Sequence, residues 1–163
     1  MVSPSSINWK KYSPYGVTVK IRQKAGSGNS LGRLKFNFPN GHNIYMHDTP
    51  EKGKFNLTNR AISHGCVRLN RPVEMAEFLL SMQGDSSLVD KFRLKMGLQP
   101  YDTALQIEDS LLKPIKNTEI IKLKNTIPVY LDYRTIVFDR NGNISFVKDI
   151  YRKNAAVAKK LKE

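Results

Sequence analysis

The sequence predicts an α+β domain, mostly β, with its helices placed after a motif that contains the single cysteine. Three observations carry this. Apolar and polar residues alternate before residue 48 and again after residue 118, the period of half-buried strands. Between them, residues 72–82 and 85–97 repeat apolar side chains at helical spacing. Turn-forming Gly, Pro and Asn residues separate these segments, and no internal repeat is present. With 163 residues, 40% hydrophobic and 25% charged, the chain can bury a core and is too apolar to remain disordered.

Taken in order, residues 1–14 read as a lead-in containing Pro4 and Pro14. "GVTVKIRQ" (16–23) alternates Val17, Val19 and Ile21, the first expected strand. "KAGSGNSLG" (24–32) is a loop, and "RLKFNF" (33–38) a second strand. Pro39-Asn40-Gly41 turns the chain into a third, "HNIYMH" (42–47). Residues 48–62 lack a period and are expected to form a loop with a short helical turn. Helix 72–82 starts on Pro72, with Glu74 and Glu77 near its positive end and Val73, Ala76, Leu79 and Leu80 as its core stripe. A second helix, 85–97, stops near Gly97, and a third is expected over 102–112. Strands are expected over 119–124, 127–138 and 144–147, the last two joined by "DRNGN". Residues 154–163 form a basic tail.

Charge and composition narrow the function. There are 27 Lys and Arg against 14 Asp and Glu, a net charge of +13, which attracts polyanions such as nucleic acid, anionic lipid or an acidic cell-wall polymer. No nucleic-acid motif accompanies it, so a plain basic face is at least as good a reading. "GSGNSLG" resembles a dinucleotide fingerprint, but Leu31 stands where the third glycine belongs and a strand follows instead of a helix, so nucleotide binding is rejected. No apolar run approaches a membrane span, and the N-terminus lacks the apolar core of a signal peptide. One cysteine excludes an internal disulfide and the multi-cysteine zinc frameworks. His42, His47, His64 and Cys66 could still supply zinc ligands, but none of their spacings is a familiar one.

Nucleophilic catalysis remains, against the alternative of a structural cysteine. A thiol reacts as thiolate, and a nearby imidazole can take its proton. Ser63-His64-Gly65-Cys66 brings a thiol, an imidazole and a residue small enough for a tight turn, whose N–H groups could stabilise an oxyanion. His47, nineteen residues upstream at a strand end, is a second candidate base.

The stretch "YMHDTP … SHGCVRL" resembles the signature of the L,D-transpeptidase (YkuD) catalytic domain: a histidine, a mid-teens gap, then Ser/Thr-His-Gly-Cys. Flanking segments, including "NRPVEMAEFLL" and "IPVYLDYRTIVF", resemble the large periplasmic members of Gram-negative bacteria, so the likeness spans roughly 7–153, with the catalytic domain over 15–153. The resemblance implies a peptidoglycan 3→3 cross-linking enzyme. Its cysteine forms a thioester with a tetrapeptide stem, releasing D-alanine, and passes the acyl group to a neighbouring stem's amine. It implies no cofactor or metal, carbapenem inhibition, no nucleic-acid partner, a monomer and a periplasmic parent protein. On this pattern Cys66 is the nucleophile, His47 the base oriented by the Asp48 carbonyl, and His64 with Gly65 shapes the oxyanion pocket. Ser63, Arg68, Tyr45 and Asp48 stand on the substrate side. The family's first strands and export signal are not in this sequence, which reads as N-terminally truncated. A cysteine L,D-carboxypeptidase on the same stems, or an inactive wall- or polyanion-binding fragment, are the competing readings.

Overall fold

Tyr45–His47 forms the middle strand of a three-stranded sheet and gives the site its frame. The structure is a computed structural model and describes residues 4–12, 23–24, 26–63, 65–103 and 118–161. Strand β1 (Lys35–Asn37) runs antiparallel to β2 (Tyr45–His47), with Lys35 opposite His47 and Asn37 opposite Tyr45. Their turn is closed by one side chain: Asn40 Oδ1 accepts the N–H groups of His42 and Ile44, and its Nδ2 donates to the carbonyls of Phe38 and Ile44. Strand β3 (Val67–Arg68) runs parallel to β2, with Val67 beside Met46 and Arg68 beside His47. A parallel pair needs a crossover. Residues 48–66 supply it, with a 3-10 turn at Lys52–Asn56.

Alternation gives this sheet two different faces. Phe36 packs toward the helices, whereas Lys35 and Asn37 point the other way and share their face with Tyr45 and His47. Helix α1 (Pro72–Ser81) starts on proline, whose missing N–H costs nothing in the first turn, and buries Pro72, Ala76 and Leu80, each one turn apart. Helix α2 (Ser87–Lys95) adds Phe92 and ends on Gly97, whose φ of +72° lets Leu98 N–H return to the Arg93 carbonyl. Ala76, Leu80 and Phe92 form the core, flanked by Leu34, Phe36, Val73 and Leu88. A polar clasp locks the two helices: Arg93 pairs with Glu77, stacks 4.0 Å from the Tyr101 ring, and Tyr101 donates to Glu77 at 3.1 Å.

Beyond the helices, β4 (Ile136–Phe138) and β5 (Ile144–Phe146) make a separate hairpin. Asp139 closes its turn by accepting from Asn141 N–H and Asn143 N–H at 2.8 Å each, while Gly142 takes a φ of +82°. Asp149 then receives the Lys153 and Asn154 N–H groups at the start of helix α3 (Lys153–Lys160), and also the Tyr133 hydroxyl at 2.6 Å.

The α+β class matches the structure, with its strands ahead of and after the helical middle. The strands are shorter than a mostly β domain requires: none among the described residues exceeds three residues. Residues 119–124 are not a strand. Their end is claimed by a side chain, with Gln83 Oε1 accepting the Lys124 and Asn125 N–H groups. Of 127–138, only 136–138 is paired. The tail from residue 153 is helical through Lys160. The expected strand 16–23 and helix 102–112 fall largely outside the described residues.

The hairpin region leaves large apolar side chains in water, among them Phe138, Ile144 and Phe146, the last 82% exposed. Contiguous apolar surface of this kind binds hydrophobic probes. The chain therefore enhances the fluorescence of a hydrophobic dye in its native state. Replacing Phe138 and Phe146 by Thr lowers that signal while moving stability by no more than about 0.5 kcal/mol per site, as surface changes do. Unchanged fluorescence in the double variant would place the dye elsewhere.

Candidate active site

The register of β2 and β3 places Cys66, one residue ahead of β3, alongside Tyr45. Side chains two apart on a strand share a face, so Tyr45, His47, Cys66 and Arg68 converge on the sheet face turned away from the helices. The Tyr45 and His47 rings meet edge to face, 5.8 Å between centroids. Burial first, and then the neighbouring Cys66, push the Tyr45 phenol above its ordinary value.

His47 is buried, 5% exposed. Its Nδ1 lies 2.5 Å from the carbonyl oxygen of Asp48. A carbonyl can only accept, so Nδ1 carries the proton and Nε2 keeps the lone pair. The imidazole is thereby held in the tautomer suited to receive a proton at Nε2.

The Asp48 carboxylate is spent inside the protein. Its Oδ2 accepts Arg33 N–H at 2.9 Å, and its Oδ1 accepts Thr49 N–H at 2.7 Å and the Lys52 ammonium at 2.8 Å. Lys52 also donates to the carbonyls of Leu69 and Asn70, at 2.9 and 2.8 Å. Burial works against the charge on Asp48, but Lys52 and the two backbone N–H groups outweigh it and hold the carboxyl below its usual range. Gly32 makes room for this carboxylate: at its φ of +62°, a Cβ would stand 2.3 Å from Asp48 Cγ.

The cysteine turn is built around Gly65, whose φ of +138° favours glycine, although a Cβ there would meet open space. Its N–H donates weakly to Ser63 Oγ, at 3.4 Å. Ser63 is exposed and Cys66 half-buried; His64 lies outside the described residues. Arg68 donates to Glu51 at 2.6 Å, while its Nε is buried with no hydrogen-bond partner. Lys54 first and Arg68 second hold Glu51 below the ordinary carboxylate range. Among the described residues, no group of three or more His, Cys, Asp and Glu side chains is placed to hold a metal ion.

The residue types at the site were readable, but its supports were not. Gly32 comes from the loop read as a plain strand connection, Arg33 from the first position of the expected second strand, and Lys52 from the unperiodic stretch after β2. The available signal was the four-residue spacing of Asp48 and Lys52, opposite charges just ahead of the expected helical turn.

A histidine at a strand end, oriented by a backbone carbonyl, with a thiol just ahead of the adjacent parallel strand, has the parts that thiol acyl transfer needs. Comparison with known proteins gives the family. Residues 2–107 match the family model of the L,D-transpeptidase catalytic domain, YkuD. The chain belongs to that family. It is also 34% identical over 154 residues to a protein of Haemophilus influenzae named "Putative L,D-transpeptidase". That match covers 93% of this chain and 26% of the relative, so the chain spans about a quarter of the relative's length.

Two substitutions test the support of the site. An alanine at Gly32 must displace the Asp48 carboxylate and hold a left-handed backbone, the latter alone costing about 1–2 kcal/mol. Gly32→Ala therefore lowers the free energy of unfolding by at least that much, read as a lower denaturant midpoint at unchanged slope. Asp48→Asn costs about 1–3 kcal/mol near neutral pH by weakening buried hydrogen bonds. Because the folded carboxyl titrates below its unfolded value of about 3.9, its stabilisation is present above that pH and is lost as pH falls through the folded value. The gap between wild type and Asp48→Asn thus closes on acidification, as measured by urea unfolding at a series of pH values. A gap independent of pH would rule out the carboxylate as its source.

Proposed function

We propose that this chain is the catalytic portion of a peptidoglycan L,D-transpeptidase that works through a Cys66 thioester. The observation that carries the reading is the β2–β3 register, which sets an oriented His47 and the Cys66 thiol on one face. His47 Nε2 takes the Sγ proton. The thiolate attacks the carbonyl carbon between the third stem residue and the terminal D-alanine, forming a C–S bond and an oxyanion. The N–H groups of the Gly65–Cys66 turn stabilise that oxyanion, Gly65 leaving its long bond to Ser63. Collapse breaks the C–N bond, and imidazolium protonates the departing amine. The side-chain amine of a second stem then attacks the thioester, giving the 3→3 cross-link and freeing the thiol. The charge of +13 suits an acidic wall polymer, in the periplasm where such stems occur.

The test is intact-protein mass spectrometry with a carbapenem, which acylates wild type and not Cys66→Ala. His47→Ala acylates about 10²–10⁴-fold more slowly at neutral pH and recovers part of the rate at high pH, where the thiol ionises unaided. An undiminished adduct on Cys66→Ala would overturn the nucleophile assignment. Supplied with tetrapeptide stems, the active chain yields cross-linked dimers; tripeptide alone would make it a carboxypeptidase.

A further inference from the structure

In the register of the sheet, His47 stands between two cations, Lys35 on β1 and Arg68 on β3. One of the two is spent. Arg68 donates to Glu51 at 2.6 Å, and Glu51 also takes Lys54. The other acidic side chain nearby, Asp48, takes Lys52. Lys35 makes no ion pair among the described residues. We propose that Lys35 is a specificity-determining residue whose ammonium binds the carboxylate of the donor stem's terminal D-alanine. The proposal rests on the reading of the chain as an L,D-transpeptidase and names the group by which that site tells its donor from a neutral peptide.

Geometry carries it. Alternation puts Lys35 on the face that carries Tyr45 and His47. β1 is an edge strand, and a lysine there could run outward into water, where it would only discourage further pairing. Instead its ammonium folds inward over β2, 3.7 Å from the centroid of the Tyr45 ring. The His47 imidazole braces that ring in turn, edge to face at 5.8 Å. An aromatic face holds an ammonium in place without neutralising it, and leaves it N–H groups to donate. A positive charge is thus seated beside the base, and the register sets Cys66 on the other side of Tyr45.

The spans match the substrate. Adjacent strands lie about 4.8 Å apart, so an ammonium above β2 stands about one strand spacing from the line of Cys66. The terminal carboxylate of the donor lies one residue, about 3.5 Å of chain, beyond the carbonyl that the thiol attacks. A carboxylate at that place meets the ammonium in a charge-assisted hydrogen bond. Lys35 is exposed, so salt screens the pair and keeps its contribution modest.

The experiment measures the binding of synthetic tetrapeptide stems to Cys66→Ala, in which no chemistry follows, with Lys35 kept, changed to Met or changed to Arg. Three stems are compared, their third residue bearing a side-chain carboxylate: the free acid, a terminal D-alaninamide, and a stem amidated at the third residue only. At low salt Lys35→Met weakens the free acid about three- to tenfold and the terminal amide less than twofold. Lys35→Arg restores most of the loss, and the Lys35-dependent part shrinks as salt rises. Equal weakening of the free acid and the terminal amide would mean that Lys35 only props the Tyr45 ring, and overturns the proposal, as does binding of no stem at millimolar concentration. A Lys35 dependence that disappears with the third-residue amide, and not with the terminal one, moves the contact to the other carboxylate and overturns the assignment to D-alanine.

The same stems are then given to the chain with Cys66 in place, and D-alanine release is followed by mass. Release by wild type, with stem binding indifferent to Lys35, sinks the role of Lys35 and leaves the transpeptidase reading standing. Binding that follows Lys35 and the terminal carboxylate, with no D-alanine released, does the reverse.

Discussion

The ion pair of Asp48 and Lys52 is the joint on which the rest of the site hangs. Asp48 follows the last residue of β2, and its carboxylate gathers the backbone N–H of Arg33 ahead of β1 and that of Thr49. Lys52 carries the joint across to β3 by donating to the carbonyls of Leu69 and Asn70. One buried charge thus ties together both neighbours of β2. The backbone carbonyl of the same residue accepts the His47 Nδ1 proton. The carboxylate of the joint and the carbonyl that orients the imidazole thus belong to one residue, and a side chain at Gly32 would collide with that carboxylate.

This arrangement separates support from chemistry. The joint and the helices occupy one side of the sheet, while Lys35, Tyr45, His47, Cys66 and Arg68 present the other. The division follows from alternation along the strands: Asp48 and His47 are adjacent in sequence and so point oppositely. Polar side chains replace ladder bonds at several places, including Asn40 in the β1–β2 turn and Gln83 against residues 124–125. Short strands are sufficient because these side chains satisfy the backbone that the sheet leaves unpaired.

Local features of the chain were legible wherever a residue's own chemistry sets the structure. Pro72 begins α1 and Gly97 ends α2 because fixed φ in one case and positive φ in the other are local properties. β1 lies within a segment whose alternation announced it, and β2 within an apolar one set off by the Pro39-Asn40-Gly41 turn. Residues 119–138 alternate just as clearly, yet most of that stretch is unpaired. A period states that a strand is possible; a partner's edge must make it one, and the Gln83 side chain takes part of that backbone instead.

The same limit governs the site. Its chemistry was written in residue types: one thiol, a histidine two residues before it, another nineteen before it, and a glycine at the turn. Those identities and spacings belong to the sequence alone, and they sufficed to indicate the family. Which residues flank the cysteine across the sheet did not follow from them, because that depends on the parallel register between residues about twenty apart. That register sets Tyr45, not a neighbour in the chain, beside Cys66, seats Lys35 on the Tyr45 ring, and turns Asp48 inward to Lys52. Contacts between distant segments are decided by strand pairing and burial, which only the folded chain possesses.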